Sequence, residues 1–186
     1  MKPFHNAVLS RLWKLAGGDP TDCRSDWNET FEPAGLILLA PPRHYGYWCT
    51  PSNALTFATT GGDGVHYSLL AIEDEFTDFS PVVMTVPCCD TPNVVVGANL
   101  REFLALGCRY GYFGLEQLVY DRHGTLEELR LARFSPDSGQ DERNLLRSLS
   151  STFHLSPWPK PSQRLDELQT LYSSVQQLSP NVEDAT

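Results

Sequence analysis

A glycine-rich turn at 60–64, Thr-Gly-Gly-Asp-Gly, limits the fold more than any other feature of the chain. Apolar residues alternate with smaller or polar ones on both sides of it, at Leu55 and Phe57 before the turn and at Tyr67 and Leu69 after it. Alternation with a period of two is typical of strands, and glycine accepts the positive φ that tight hairpin loops require. The segment therefore predicts a β-hairpin.

Other segments in the first half of the chain also predict strands. A polar stretch, 19–33, precedes the apolar run 35–40, Gly-Leu-Ile-Leu-Leu-Ala, which stops at Pro41-Pro42. We predict a buried strand for this run, with a helical turn as the alternative that periodicity leaves open. Two valine-rich segments, 81–86 and 93–96, are further strands. Because these strands follow one another without an intervening helix, we expect antiparallel pairing.

Helical spacing marks both sides of this strand-rich centre. Strands grouped in the middle of a chain with helices on either side predict an α+β fold. We expect a central, mostly antiparallel, twisted sheet flanked by helices, with a C-terminal helical extension. The predicted helices are 6–15, 100–108 with Asn99 as its N-cap, 112–120, one starting at a capping box in 125–128, 141–153 and 163–178.

A proline-rich segment at 156–161, Ser-Pro-Trp-Pro-Lys-Pro, separates the last predicted helix from the rest. Each proline fixes its own φ and disfavours helix in the residue before it. We predict one α+β domain over 1–155, followed in 156–186 by a proline-rich linker and an amphipathic helix. The apolar stripe of 163–178 packs either on its own domain, which we favour, or on a second copy of the chain.

Charge excludes several classes of function. The 186-residue chain has 14 basic and 23 acidic residues and a formal net charge of −9. Nucleic-acid binding and attraction to anionic membranes both depend on Lys and Arg, so we expect neither. The longest apolar run is too short to span a bilayer, and the N-terminus does not resemble a secretory signal, so we expect a cytoplasmic protein. Residues 44–100 contain six acidic residues and no Lys or Arg, a surface that either attracts a basic partner or is simply solvated.

Motifs for catalysis and metal binding are missing from the sequence. It has no Gly-x-Ser-x-Gly, Cys-x-x-Cys or His-Glu-x-x-His pattern, so we expect no metal and no cofactor. A cysteine and a histidine can still meet in space, which leaves a small cysteine-dependent hydrolase or transferase as an alternative. The cysteines are Cys23, Cys49, Cys88, Cys89 and Cys108.

The centre of the chain resembles a known family. The segments Tyr-Trp-Cys-Thr-Pro at 47–51, Asn-Ala-Leu-Thr-Phe-Ala at 53–58 and Thr-Gly-Gly-Asp-Gly-Val-His-Tyr at 60–67 are similar to those of the SUKH superfamily, which includes the Smi/Knr-type cell-wall regulators. An acidic loop, a valine-rich strand and the segment Asn-Leu-Arg-Glu-Phe-Leu follow as in the family. The resemblance covers about a third of the chain. Ser68 stands where the family pattern has glycine, and the region after Phe153 has no counterpart.

This resemblance implies a non-enzymatic protein-binding domain. Many SUKH members resemble immunity proteins that neutralise a toxin, often a nuclease, by direct contact. A basic nuclease channel would suit an acidic inhibitor, so we expect a basic protein partner. A dimerising scaffold that associates through 163–178 remains an alternative. The candidate partner-binding residues are Asp63 and His66 of the hairpin, Glu73, Asp74, Glu75 and Asp78 of the acidic loop, and the aromatic residues Tyr45, Tyr47 and Trp48.

Overall fold

The computed structural model describes residues 6–18 and 27–178, which fold around a six-stranded sheet. The strands lie in the sheet in chain order, and each is antiparallel to its neighbours. This arrangement confirms the predicted α+β fold with an antiparallel sheet. The strands are β1 (Trp27–Phe31), β2 (Leu36–Arg43), β3 (Ala54–Thr59), β4 (His66–Leu70), β5 (Val82–Thr85) and β6 (Asn93–Gly97).

Six α-helices accompany the sheet in the described part of the chain, and three 3₁₀ turns connect or extend them. None of these helices is long and apolar enough to cross a membrane. The helices are α1 (Ala7–Leu15), α2 (Leu100–Gly107), α3 (Gln117–Tyr120), α4 (Arg122–Leu131), α5 (Gln140–Phe153) and α6 (Pro161–Tyr172); the 3₁₀ turns are Glu32–Ala34, Phe113–Glu116 and Ser173–Val175.

The main apolar core lies between one face of the sheet and the helices. Phe57 of β3 and Tyr67 of β4 pack against Phe103 of α2, with ring centroids 5.9 and 4.7 Å apart. Phe103 in turn packs against Tyr112 at 5.2 Å. The Tyr67 hydroxyl donates a hydrogen bond to the Tyr112 carbonyl, and complete burial raises the pKa of Tyr67 far above its ordinary value. This face of the sheet is therefore fully occupied by the protein's own side chains.

The other face of the sheet carries a small apolar cluster of Ala54, Leu70 and Val83 and a buried polar row, and a loop covers the polar row. Residues 44–53, between β2 and β3, lie over it: the Asn93 amide donates to the Cys49 carbonyl at 2.9 Å, and Thr50 Oγ1 lies 2.9 Å from His66 Nε2. Below the loop, cross-strand partners form one buried row through β3, β4, β5 and β6. The row consists of Thr59, His66, Thr85 and Asn93.

The C-terminal segment packs against both β6 and this loop. The Gln169 side chain accepts a hydrogen bond from the Val95 backbone N–H, and Leu165 and Leu168 of α6 are buried. After α6, the Asn53 side chain donates to the Val175 carbonyl at 2.9 Å. The apolar stripe of α6 is thus largely used within the chain itself.

The structure adds to the prediction at one place on the N-terminal side of the sheet and corrects it at another. Strand β1 forms within the polar stretch 19–33, to which we assigned no element. Strand β2 does not stop at Pro41-Pro42 but continues to Arg43. The register between β2 and β3 shifts between Leu38 and Arg43, so the prolines occupy a stretch in which no ladder hydrogen bond is required of them.

Helix boundaries also differ from the predictions. Helix α4 begins before the predicted capping box, because Asp121 is its N-cap and accepts a hydrogen bond from the Gly124 N–H at 3.0 Å. Thr125 lies inside the helix and donates to the Asp121 carbonyl. The predicted helix 112–120 is divided into a 3₁₀ turn and the short α3, and the last helix ends at Tyr172 rather than at Leu178.

Candidate functional site

The structure divides the nine predicted contact residues between the two ends of β4. The hairpin turn with Asp63 comes just before this strand, whereas the acidic loop 73–78 follows its other end. A strand of five residues is roughly 16 Å long, at about 3.3 Å per residue. The predicted residues therefore form two separate surfaces, the hairpin end and the acidic loop.

Three aromatic side chains meet at the hairpin end. Ring centroids of Tyr45 and His66 lie 4.9 Å apart, those of Tyr47 and His66 5.6 Å, and those of the two tyrosines 5.5 Å. Gly64 permits this packing, because a Cβ atom at that position would lie 2.5 Å from the Tyr47 hydroxyl. Loop 44–53 thus holds both tyrosines against the start of β4.

His66 supports the tyrosines from below and has no exposed surface of its own. Its Nδ1 lies 2.7 Å from the Gly64 carbonyl oxygen, which can only accept, so Nδ1 carries the proton and Nε2 accepts from the Thr50 hydroxyl. Burial lowers the pKa of His66 to about 4. The ring is therefore neutral at pH 7, and its hydrogen bonds hold loop 44–53 to the hairpin.

An open groove of about 400 Å³ remains beside the tyrosines. Trp27 of β1, which is 38% exposed, also lines the groove, and its ring centroid lies 6.4 Å from that of Tyr45 at an interplanar angle of 80°. The lining further includes Ile37, Thr59 and the exposed Glu29. We call this feature the aromatic groove.

Sequence reasoning missed Trp27 and Glu29, because the groove exists only once β1 has joined the sheet. The segment 27–31, Trp-Asn-Glu-Thr-Phe, does place two aromatic residues and a glutamate at alternate positions. This weak period of two was the available signal for a strand, although the irregular register between Asn28 and Phe31 places Phe31 in the main core while Trp27 and Glu29 line the groove.

Further acidic and aromatic side chains surround the hairpin turn. Asp63 is exposed, and Phe113 is exposed and packs beside Gly62. Burial, with the nearby negative charge of Asp63, raises the pKa of Glu116. Trp48, 60% exposed, follows Tyr47 directly in loop 44–53. The hairpin end thus combines negative charge with exposed aromatic surface.

Part of the acidic loop is hydrogen-bonded to the start of α1. Asp78 accepts a hydrogen bond from the backbone N–H of Ala7 at 2.6 Å, and the Asn6 amide donates to the Thr77 carbonyl at 3.0 Å. A carboxylate at a helix N-terminus is stabilised by the helix dipole. Asp78 therefore helps to hold the start of α1, while Glu73, Asp74 and Glu75 are exposed.

The tip of this loop is a two-residue turn without glycine. Ile72 and Glu75 exchange backbone hydrogen bonds of 3.0 and 2.9 Å, and Glu73 and Asp74 between them have φ values of 51° and 61°. Left-handed backbone costs a non-glycine residue roughly 1–2 kcal/mol. We expect Asp74→Gly to raise the free energy of unfolding by about 0.5–1 kcal/mol, after allowance for the greater flexibility of glycine in the unfolded chain.

Urea unfolding monitored by tryptophan fluorescence measures this change. Asp74→Ala is the matched control, since it removes the same carboxylate but retains a Cβ atom at positive φ. A gain of equal size in both variants would contradict the strain argument and assign the effect to charge.

The two buried cysteines do not have the lowered pKa of an activated thiol. Cys49 and Cys108 are buried free thiols, and burial raises the pKa of each. Cys88 is exposed and Cys89 partly so, while Cys23 lies outside the described residues. Within the described ranges, no three His, Cys, Asp or Glu side chains are grouped so that they could hold a metal ion.

Comparison with family models, with curated proteins and with solved structures finds no match to this chain.

Proposed function

We propose that the chain is a non-enzymatic protein-binding module of the SUKH type, an immunity protein that neutralises a basic toxin such as a nuclease by direct contact. The observation that carries this proposal is the hairpin end, where exposed aromatic and acidic side chains stand on a rigid support. The family resemblance of residues 47–67 covers the same part of the chain.

The support for the aromatic residues favours tight binding. His66 is hydrogen-bonded at both ring nitrogens and packs against Tyr45 and Tyr47, so the tyrosines are already ordered before a partner arrives. Side chains that are ordered in advance lose less conformational entropy on binding. Tyrosine and tryptophan are also the residue types that contribute most often to interface hot spots.

The charge of the same surface favours a basic partner. Asp63 and Asp90 are exposed on the β3–β4 and β5–β6 turns, which lie at one end of the antiparallel sheet. Glu116 is close enough to Asp63 for the two charges to interact. Opposite charges across an interface accelerate association and select the partner.

We expect Asp63→Asn combined with Glu116→Gln to weaken binding of a basic partner by about tenfold and to flatten its salt dependence. Both substitutions remove charge with little change of shape, and asparagine tolerates the positive φ of 48° at position 63. The measurement is capture of the partner by the tagged protein from its native lysate, at low salt and at about 0.5 M salt, where charge attraction is screened.

The acidic loop offers a matched control. Glu73→Gln combined with Asp74→Asn removes the same number of charges at the other end of β4, and we expect this variant to capture the partner as the wild type does. If only the loop variant failed to capture the partner, the partner would contact the acidic loop and not the hairpin end. Unchanged affinity and salt dependence in both variants would refute an electrostatic binding surface.

A further inference from the structure

We propose that the aromatic groove accepts an arginine side chain of a basic protein partner. This inference rests on the proposed function, because it names the chemical group that the partner would insert. The family resemblance covers only part of this groove: Tyr47, Gly61 and Gly64 lie in the matched segments, whereas Trp27, Glu29 and Ile37 lie outside them.

The three rings that line the groove are inclined to one another. Trp27 stands nearly perpendicular to Tyr45, at 80°, and Tyr45 and Tyr47 are inclined to each other by 41°. A cation within about 6 Å of an aromatic centroid is attracted by the negative face of the ring, most strongly by tryptophan. Several inclined rings can therefore contact one guanidinium group together.

The remaining lining suits the rest of an arginine side chain. Ile37 supplies an apolar surface for the methylene stem, and Glu29 supplies a carboxylate for the guanidinium N–H groups. No lysine or arginine is among the described residues that line the groove. The cavity volume of about 400 Å³ is also within the range of pockets that hold small organic groups, roughly 300–1,000 Å³.

A contact within the chain shows the same chemistry. The guanidinium carbon of Arg43 lies 5.6 Å from the Trp27 ring centroid, although Arg43 is not among the residues that line the groove. Arginine is favoured over lysine because its planar group stacks on aromatic rings and is more weakly hydrated. The negative charge of the surrounding surface points to a basic protein as its source rather than to a neutral metabolite.

The test is an NMR titration of the full chain with the acetylated and amidated peptide Gly-Gly-Arg-Gly-Gly. The control peptide carries citrulline in place of arginine, which preserves the shape and removes the positive charge. We expect resonances of Trp27, Tyr45 and Tyr47 to shift, and the arginine peptide to bind at least about tenfold more tightly than the citrulline peptide.

Substitutions locate the binding. Trp27→Leu and Glu29→Gln should each weaken binding of the arginine peptide several-fold, whereas Trp48→Leu, an exposed tryptophan that is not part of the lining, should leave it unchanged. Glu29 is exposed, so its variant keeps the fold and remains informative even if Trp27→Leu perturbs β1. Equal affinity for the two peptides, shifts confined to other surfaces, or wild-type affinity of Glu29→Gln together with Trp27→Leu would overturn the inference.

The outcomes separate this inference from the proposed function. If the peptide does not bind the groove but the Asp63→Asn/Glu116→Gln variant still loses its partner, the groove inference is overturned and the binding module stands. If the peptide binds as expected and that variant captures its partner like the wild type, the groove inference is supported and the proposed electrostatic surface is refuted.

Discussion

Replacing Trp158 with alanine is expected to lower the free energy of unfolding by about 3–5 kcal/mol, the range typical of removing a large buried aromatic side chain. Trp158 lies in the proline-rich segment, yet its side chain is only 8% exposed. Its indole Nε1 donates a hydrogen bond of 3.1 Å to the Glu102 carbonyl of α2. The segment that we predicted to be a linker therefore contributes a residue to the core.

The surrounding contacts explain why the loss should be large. The Glu102 carboxylate accepts a 2.7 Å hydrogen bond from Arg164 of α6 and another of 2.7 Å from the Ala98 backbone N–H. One side chain thus connects the start of α2 with the last helix, next to the buried indole. Removing Trp158 would leave a cavity at this junction and weaken the attachment of α6 to the sheet.

Urea unfolding of the purified variants measures the effect, and a second tryptophan provides the control. Trp48→Ala makes the same substitution at a side chain that is 60% exposed, and we expect a change of no more than about 0.5 kcal/mol. The loss of unfolding free energy in Trp158→Phe should lie between those of the two alanine variants, because phenylalanine keeps most of the apolar volume but cannot form the hydrogen bond. Similar small losses in both alanine variants would mean that the C-terminal segment is not part of the cooperative fold.

The hairpin was predictable because its information is local. Gly61 and Gly64 have φ values of 86° and 71°, and the strands on either side pair with each other, with one register shift between Thr56 and Ala58. Asn99 likewise caps α2 through a hydrogen bond to a residue only three positions away, the Glu102 N–H. In such segments the pattern and the structure depend on the same few residues.

The unassigned strand β1 depends on a contact with another strand: it has little apolar character of its own and is a strand because it pairs with β2. The error at the start of α4 has a local cause, because the Asp121 side chain accepts a hydrogen bond from the Gly124 N–H and begins the helix before the predicted cap at Thr125. Ser68, where the family pattern has glycine, is buried and forms a hydrogen bond with Thr56 across the strands.

The candidate site was predictable in composition but not in arrangement. Tyr45 and Tyr47 were identified from the sequence, but their position depends on hydrogen bonds that join loop 44–53 to His66 and Asn93. Asn93 lies 44 residues after Cys49, the loop residue to which it is hydrogen-bonded. Because this loop covers His66, the ring is buried and supports the tyrosines instead of being exposed to a partner. The acidic loop, in contrast, had to lie away from the hairpin turn, because one strand of the predicted hairpin separates them.

Burial of His66 predicts a loss of stability at mildly acidic pH. Its folded-state pKa is lowered to about 4, against 6.5 in the unfolded chain, because burial disfavours the charged ring; the proximity of His44 adds to this. Above pH 6.5 the ring is neutral in both states. Between pH 6.5 and pH 4 only the unfolded state binds the proton, so stability falls with decreasing pH, by about 3 kcal/mol in all, and levels off below pH 4.

The measurement is the free energy of unfolding in urea at intervals from pH 7.5 to pH 4, for the wild type and for His66→Gln. Subtracting the two curves removes the contributions of carboxyl groups such as Glu116, whose raised pKa acts in the opposite direction. We expect the variant to be less stable at pH 7.5, because a flexible amide replaces a ring that packs against Tyr45 and Tyr47, but to lack the decrease between pH 6.5 and 4. Parallel curves would show that His66 is protonated as readily in the folded protein as in the unfolded chain. In that case the neutral, doubly hydrogen-bonded ring could not be what orders the hairpin end.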